Sequence, residues 1–505
     1  MLSVNADNAY LPALTVQTEK MMSWSQFRPF PLARMLSLGI SAAFAGSLLT
    51  PPAHASGTSN DNLTGVVEEA LNTSPEIGFQ IDRFRASVED RRQVWGGYLP
   101  SVDLDAAIGQ GNREFDGRGN YTREYAELSV TQLLFDGFGL QSRLSQADHE
   151  MRARYYEALD QAEQTTLEVV EAYLDVRRYR ELVALARANV ESHQDVRAKV
   201  QRRADSGVGT AADLNQIDGR LALARSNLMT EIRNLQSVTA RFERLVGRTP
   251  ADRLSPVNKL AMTDELDLAG VVENTFANNP TLYAAFEQIK QARASLRETR
   301  SARYPTLELG VHQGIYRNQN SFDERYDPSD RGNDFRVELR MRYNLFRGGS
   351  DRAAERAANH RIDQARNLRD KTCVDLRQTA TIAYTNRENL KHTQAQLIAH
   401  RDASAEALRA YRQQFDIGRR SLLDVLDSEN ELFQSNRAVV NGQYNERLAT
   451  ARTLSSMGRL LESLADRDER LPTIDSAFAD SPSAGAGQYC SAMMEAGIEL
   501  PSFNR

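Results

Sequence analysis

A chain of 505 residues with 68 acidic against 62 basic side chains carries a formal net charge of −6, and 26 % of its residues are charged. That balance excludes the basic face nucleic acid requires, and a mean hydropathy of −0.53 leaves too little apolar material for one large compact core. Two cysteines, Cys373 and Cys490, make neither a disulfide framework nor a thiolate metal site.

Residues 1–55 read as a leader. Arg28 and Arg34 precede an apolar run from Met35 to Leu49, and Ala53-His54-Ala55 is a small-x-small cleavage site, which makes about 21–55 a secretory signal peptide. The run is about 15 residues, shorter than the ~20 of a spanning helix. No cysteine follows the cleavage site to carry a lipid anchor. Beyond it no stretch of ~18 apolar residues occurs, so a membrane protein built from this chain is a β-barrel.

The remainder is a repeat, 62–250 followed by 268–462. Leu63–Glu69 matches Leu268–Asn274 and Pro75 matches Pro280 at an offset of 205, whereas Leu134-Phe135-Asp136-Gly137 matches Leu345-Phe346-Arg347-Gly348 at 211, as Gly247-Arg248 matches Gly458-Arg459. The six extra residues fall between 313 and 334, the signature of one longer loop.

Each repeat opens with a helix, 75–97 and 280–302, started by a proline at its first position. Two strands follow, about 100–110 and 125–135, then about 305–316 and 334–346 in the second repeat. Phe335, Val337, Leu339, Met341, Tyr343 and Leu345 interleave with Arg336, Glu338, Arg340, Arg342 and Asn344, a strict period of two with one apolar and one wet face. A soluble sandwich would need more strands than four in two distant hairpins, and roughly 11 residues suffice to cross a bilayer when tilted. Next comes a long helix, 139–206 and 350–417, with no proline inside it. About 68 residues at 1.5 Å each give ~100 Å, over three times the hydrocarbon core, so these helices project into water. A returning helix, 211–246 and 422–457, closes each repeat and is expected to stack end to end with the shorter first helix beside the long one.

The turns between the long and returning helices share the pattern G-x-x-[ST]-x-x-D: Gly207, Thr210 and Asp213, then Gly418, Ser421 and Asp424. Glycine stops the incoming helix with positive φ, and Ser/Thr with Asp three residues on is a capping box. Asp427 lies one turn beyond Asp424 on the same helix face with no capping task, and Gln216 holds its place in the first repeat. Asp213 and Arg420, on opposite tips, are placed to pair if the tips pack together. The tail, 466–505, loses all periodicity and reads as disordered, with Ser481–Gly487 a linker.

No enzyme motif is present. Gly207-x-Gly209-x-x-Ala212 follows a charged helix rather than the strand a dinucleotide fingerprint requires, and the phosphate-loop, zinc-protease and nucleophile-elbow patterns are absent. No metal or cofactor is implied.

Over 62–465 the chain resembles the TolC family of outer-membrane channel-tunnels, through the doubled tips, Tyr98-Leu99-Pro100 and Tyr304-Pro305 before the strands, and the Leu-Phe-x-Gly exits after them. The stretch Leu422–Phe433 with Met457–Leu460 resembles the branch serving type I secretion. The resemblance implies a mainly α fold with a small transmembrane β-barrel, two tandem repeats of helix, β-hairpin, long helix and helix. It also implies a homotrimer with a twelve-stranded barrel in outer-membrane lipid and a helical tunnel in the periplasm. Partners would be a periplasmic adaptor and an inner-membrane ABC transporter, or an RND pump if the duct serves drug efflux. Asp213 and Arg420 fall on the family's salt bridge that closes the tunnel. Phe415 stands where the family often has a cross-bonding tyrosine, with Ala212 in place of its polar partner. Asp424 and Asp427 fall on an acidic ring at the entrance. A periplasmic coiled-coil scaffold is the reading from another class.

Overall fold

The computed structural model describes residues 60–112, 120–207, 210–257, 260, 266–317, 332–464, 471 and 489–490. The leader with its signal, both outer hairpin loops and most of the tail lie outside the described residues.

The first repeat runs β1 (Asn60–Asp61), α1 (Leu63–Thr73), α2 (Pro75–Gly96), β2 (Ser101–Asn112), β3 (Asn120–Phe135), α3 (Gly139–Asp205) and α4 (Ala211–Val246). After β4 (Arg253–Leu254) the second runs α5 (Leu268–Asn278), α6 (Pro280–Ser301), β5 (Thr306–Arg317), β6 (Gly332–Arg342), α7 (Ser350–Asp416), α8 (Leu422–Ser456) and α9 (Leu460–Leu464). Both long helices have 67 residues. As the sequence implies, α2 and α4 pack on α3, and α6 and α8 on α7; α3 also packs against α6 and α8, which joins the repeats. The periodicity does not announce α1 and α5. Each is only three turns long and is set by its own cap, Asn62 accepting from the Gly65 amide and Asp267 from the Gly270 amide.

The four long strands form one antiparallel sheet in the order β2-β3-β5-β6. Its register puts Val102, Val130, Val311 and Val337 in a single row on one face, and Asp103, Ser129, His312 and Arg336 in the adjacent row on the other. The apolar face is bare: Val102 is 65 % exposed, Ile108 76 % and Leu339 63 %. On the polar face His312 Nδ1 lies 2.9 Å from Glu127 Oε1. One expectation is corrected here. The final strand ends at Arg342 instead of running to 346, leaving Tyr343, Leu345 and Phe346 exposed without a ladder. The matching stretch of β3 reaches Phe135 because β5 pairs with it there, at Leu307. β6 is an outer strand, and among the described residues its far side has no neighbour.

The principal core lies where α1, α3, α4 and α8 meet. Tyr173, fully buried, donates its hydroxyl to the carbonyls of Asp61 and Ser255, fixing the short β1–β4 pair on α3. Arg248, from the repeated Gly-Arg motif, takes Asp61 in two hydrogen bonds at 2.9 and 3.1 Å and Glu69 at 2.8 Å. Such a fork fits two carboxylates at once and ties α1 to the end of α4.

The cysteine reading is also corrected. Cys373 on α7 and Cys490 in the tail form a disulfide, both fully buried. With a separation of 117 positions and no pattern around Cys490, spacing gave no sign of it. The described tail residues Leu471 and Cys490 are buried, so the tail is docked at those points.

Two predictions follow from packing. Gly137 has φ of +69°, and a Cβ there would meet Tyr304 Cβ at 2.6 Å and the Ser301 carbonyl at 2.8 Å. Its repeat counterpart Gly348 has φ of +62° but nothing within 4 Å. Gly348→Ala should therefore cost only the left-handed backbone term, about 1–2 kcal/mol, while Gly137→Ala adds a clash. Thermal unfolding in detergent should rank wild type above Gly348→Ala and Gly348→Ala above Gly137→Ala.

The second concerns Glu163 on α3, buried, whose two oxygens accept the Leu460 amide at 2.7 Å and the Leu461 amide at 3.0 Å at the start of α9. Burial pushes its carboxyl up to about 7 from an ordinary 4.5, against the pull of the two amides. A raised carboxyl favours the folded state most below 4.5 and loses that contribution as pH rises through 7. Glu163→Gln removes the titration, so the stability of wild type relative to this variant should fall between pH 5 and pH 8. Glu163→Ala should cost roughly 1–3 kcal/mol by stranding the amides. Parallel melting curves at both pH values check the sign.

Candidate functional site

The tips are built from short-range rules. In the first, Gly207 ends α3 at φ +77°, its amide donating to the Ala204 carbonyl. Thr210 Oγ1 accepts the Asp213 amide, and Asp213 Oδ2 accepts from the Thr210 amide at 3.2 Å and hydroxyl at 2.8 Å. In the second, Gly418 has φ +76°, Ser421 Oγ accepts the Asp424 amide, and Asp424 Oδ2 accepts from the Ser421 amide at 3.3 Å and hydroxyl at 2.8 Å. Both are complete capping boxes. The Ser421 hydroxyl, then its amide, hold the Asp424 carboxyl below the usual carboxylate range, with Arg420 adding a smaller pull.

Hydrophobic packing joins the two tips. Val200 of α3, Ile217 of α4, and Leu422 and Leu426 of α8 form one buried cluster, with Phe415 of α7 partly buried against it. The Arg203 guanidinium lies 4.9 Å from the centre of the Phe415 ring, within cation–π range. Phe415 thus serves as a packing residue between the tips of one chain.

The charged candidates are distributed as follows. Arg420 donates from Nε to Gln414 Oε1 at 3.0 Å, stacks over the Tyr411 ring at 4.4 Å and lies 3.7 Å from Asp424. Among the described residues no ion pair joins it to Asp213 within the chain. Asp213 Oδ1 has no partner there either. Asp427 Oδ1 accepts from Arg220 Nη2 of α4 at 2.6 Å, a link between the two returning helices.

Sequence reasoning missed a second layer above the tips. Glu429 on α8 is almost wholly buried, yet it takes Arg412 of α7 at 2.7 Å and the Ser192 hydroxyl of α3 at 3.3 Å. His193 Nδ1 donates to the Asn189 carbonyl at 2.8 Å and stands 3.9 Å from the other Glu429 oxygen. Buried Glu231 of α4 likewise meets Arg437 of α8. A signal was available: Glu429 falls on the stripe of Leu422, Leu426 and Phe433, at helical spacing, so a charge sits where the seam demands an apolar residue. Burial of such a charge requires pairing. Among the described residues no group of His, Cys, Asp and Glu is arranged to hold a metal ion, and no helix is long and apolar enough to cross a membrane.

A bare apolar sheet face, two unpaired sheet edges and 67-residue polar helices ending in capped tips form one device. Comparison with known proteins agrees. The model of the outer membrane efflux protein family matches twice, over 66–248 and 271–459, together most of the chain. The chain is 24 % identical to the outer membrane efflux protein BepC of Brucella suis over 420 residues, 82 % of this chain and 88 % of that one. It is 25 % identical to the alkaline protease secretion protein AprF of Pseudomonas aeruginosa over 348 residues, 66 % of this chain and 69 % of that one. Its fold superposes on the crystal structure of CusC with a TM-score of 0.71 at 15 % identity, covering 81 % of this chain and 93 % of that one. The chain belongs to the outer membrane efflux protein family, the TolC-type channels that sit in the outer membrane and extend a helical tunnel into the periplasm.

Proposed function

We propose that this chain is the outer-membrane exit duct of a tripartite export machine, passing substrate without chemistry of its own from an inner-membrane transporter and a periplasmic adaptor to the exterior, and that its task is type I protein secretion. The observation that carries the duct is the sheet: four strands with both edges open and one apolar face uncovered. Lipid covers that face, and neighbouring copies close the edges. Three chains of four strands make a twelve-stranded homotrimeric barrel with the Asp103–Ser129–His312–Arg336 row toward the water-filled interior. The Leu422–Phe433 stretch and the likeness to a protein named for alkaline protease secretion favour protein export. The likeness to a protein named for efflux makes multidrug efflux, with a proton-driven pump at the base, the second reading.

A gene deletion tests this. Loss of one or a few large proteins from the culture supernatant, with drug tolerance unchanged, supports secretion. Increased drug sensitivity with an intact supernatant supports efflux. A protein that is extracted without detergent and never migrates as a heat-modifiable trimer would be a scaffold instead.

At the tips, Asp213 Oδ1, unpartnered among the described residues, and the exposed Arg420 guanidinium support pairing between neighbouring chains, closing the tunnel. Arg420→Ser should then raise single-channel conductance in bilayers, and unchanged conductance in both Arg420→Ser and Asp213→Ala would reduce the pair to surface charge.

Asp424 and Asp427 from three chains would ring the entrance, favour cations and bind a trivalent cation added from the periplasmic side. The ion pair with Arg220 offsets part of the Asp427 charge. Two variants should therefore move in opposite directions. Asp427→Ala should weaken trivalent block roughly three- to tenfold and Arg220→Gln should strengthen it, since an exposed pair is worth ~1 kcal/mol. Both effects should shrink as salt rises. Block unchanged in both variants would place the ring elsewhere.

A further inference from the structure

The repeats account for the chain as far as α9, but not for its last forty or so residues. Yet this tail carries one of only two cysteines, and that cysteine is engaged. Cys490 lies in a pocket whose floor comes from three helices of the second repeat: Phe276 of α5, Leu282 of α6 and Cys373 of α7, all buried, with Phe286 at the side. Its neighbour Tyr489 seals the rim. The Tyr489 hydroxyl donates to Asp370 Oδ1 at 3.1 Å and accepts from Arg369 Nη2 at 2.6 Å. The Arg369 guanidinium stacks on the Tyr489 ring at 3.7 Å, and the Phe286 ring meets Tyr489 edge-on at 6.4 Å. A covalent bond, two hydrogen bonds and two aromatic contacts thus converge on two consecutive residues. Few contacts other than the disulfide are strong, since Tyr489 remains 37 % exposed.

We propose that the C-terminal segment is an oxidation-dependent clasp. After export, Cys490 is joined to Cys373 and holds Tyr489 and Cys490 over the α5–α6–α7 pocket, and the helices of the second repeat reach full stability only in this oxidised form. The clasp rests on the periplasmic placement of the helices and on no particular cargo. Its chemistry is thiol–disulfide exchange. One cysteine thiolate attacks the disulfide of an acceptor, a disulfide-carrying oxidoreductase or a small disulfide, and one acceptor sulfur leaves. The second cysteine thiolate attacks the mixed disulfide and the other acceptor sulfur leaves. Two thiols are oxidised, the acceptor disulfide is reduced by two electrons, and the two protons end on the acceptor thiols. The bond spans 117 residues, so the loop it closes contains the rest of α7, the second tip, all of α8 and α9. Cross-linking so long a loop removes much of the freedom of the unfolded chain. Cys490 follows Cys373 by 117 positions, so the clasp closes only once both have been exported.

Three measurements on the full-length channel, purified from membranes, test the proposal. Alkylation under denaturing conditions followed by intact mass should find no free thiol before reduction and two after it. On non-reducing gels of the heat-denatured protein the chain should run as a monomer, moving more slowly once reduced. Reduction of the wild type, or Cys373→Ser with Cys490→Ser, should lower the melting temperature by at least ~5 °C, and either single serine variant should lower it as much as the pair. Reduction of the wild type covers the case in which a serine variant fails to assemble. Two free thiols in the untreated protein, or a reducible dimer or trimer on the gel, would overturn the clasp within one chain. A melting temperature insensitive to both reduction and the double substitution would show that the bond fastens nothing.

Discussion

A four-stranded sheet cannot exist alone in the state seen here. Its outer strands β2 and β6 each present a row of unmet backbone groups on one side, and Val102, Leu104, Ile108, Phe335 and Leu339 lie bare on one face. In hydrocarbon every unmet N–H or C=O costs several kcal/mol, which only closure removes. The early end of β6 at Arg342 reflects that constraint: Tyr343 to Phe346 have the composition of a strand but no ladder partner among the described residues. The remaining architecture serves to deliver such sheets to one ring and to hang a conduit beneath them.

The conduit meets the opposite problem, since its helices are polar almost all round. Of the 67 residues of α7 only eight are buried within one chain, and named ion pairs along the helices add to that packing. Glu171 takes both Arg241 and Arg452, Glu231 takes Arg437, and Glu429 takes Arg412 and Ser192. A buried ion pair adds little net stability because desolvation offsets its attraction, yet a slipped register would leave a buried charge unpaired at several kcal/mol. Glu231 and Glu429, both buried, therefore favour the register in which Arg437 and Arg412 meet them.

How much of this was legible follows from the range of each interaction. Elements fixed by neighbours in sequence could be read closely: the capping boxes at Thr210 and Ser421, the proline starts at 75 and 280, and the return helix at 211–246. The repeat offset located the hairpins because a duplicated landmark is independent of propensity. Contacts between distant segments left no trace in periodicity. Neither the 117-residue span from Cys373 to Cys490, nor Arg248 reaching Asp61 and Glu69, nor Arg220 meeting Asp427 shows a spacing rule. Glu429 is intermediate, a charge out of place on an apolar stripe, visible as an anomaly but not as a pair.

The duplication also shows where symmetry had to be broken. Both tips keep the same backbone: a left-handed glycine, a hydroxyl cap and an aspartate closing the box. They differ in what they offer outward. The first presents Asp213 with no cation beside it among the described residues, and the second carries Arg420, braced by Gln414, stacked on Tyr411 and 3.7 Å from Asp424. In a ring where first and second tips alternate, every contact joins unlike surfaces, so identical tips would set like charges against each other. Capping geometry is internal to each helix and can be kept twice. Contact chemistry is shared between tips and cannot. Divergence is therefore expected at positions such as Gly209 against Arg420, and at Gln216 against Asp427, while the turn that presents them remains constant.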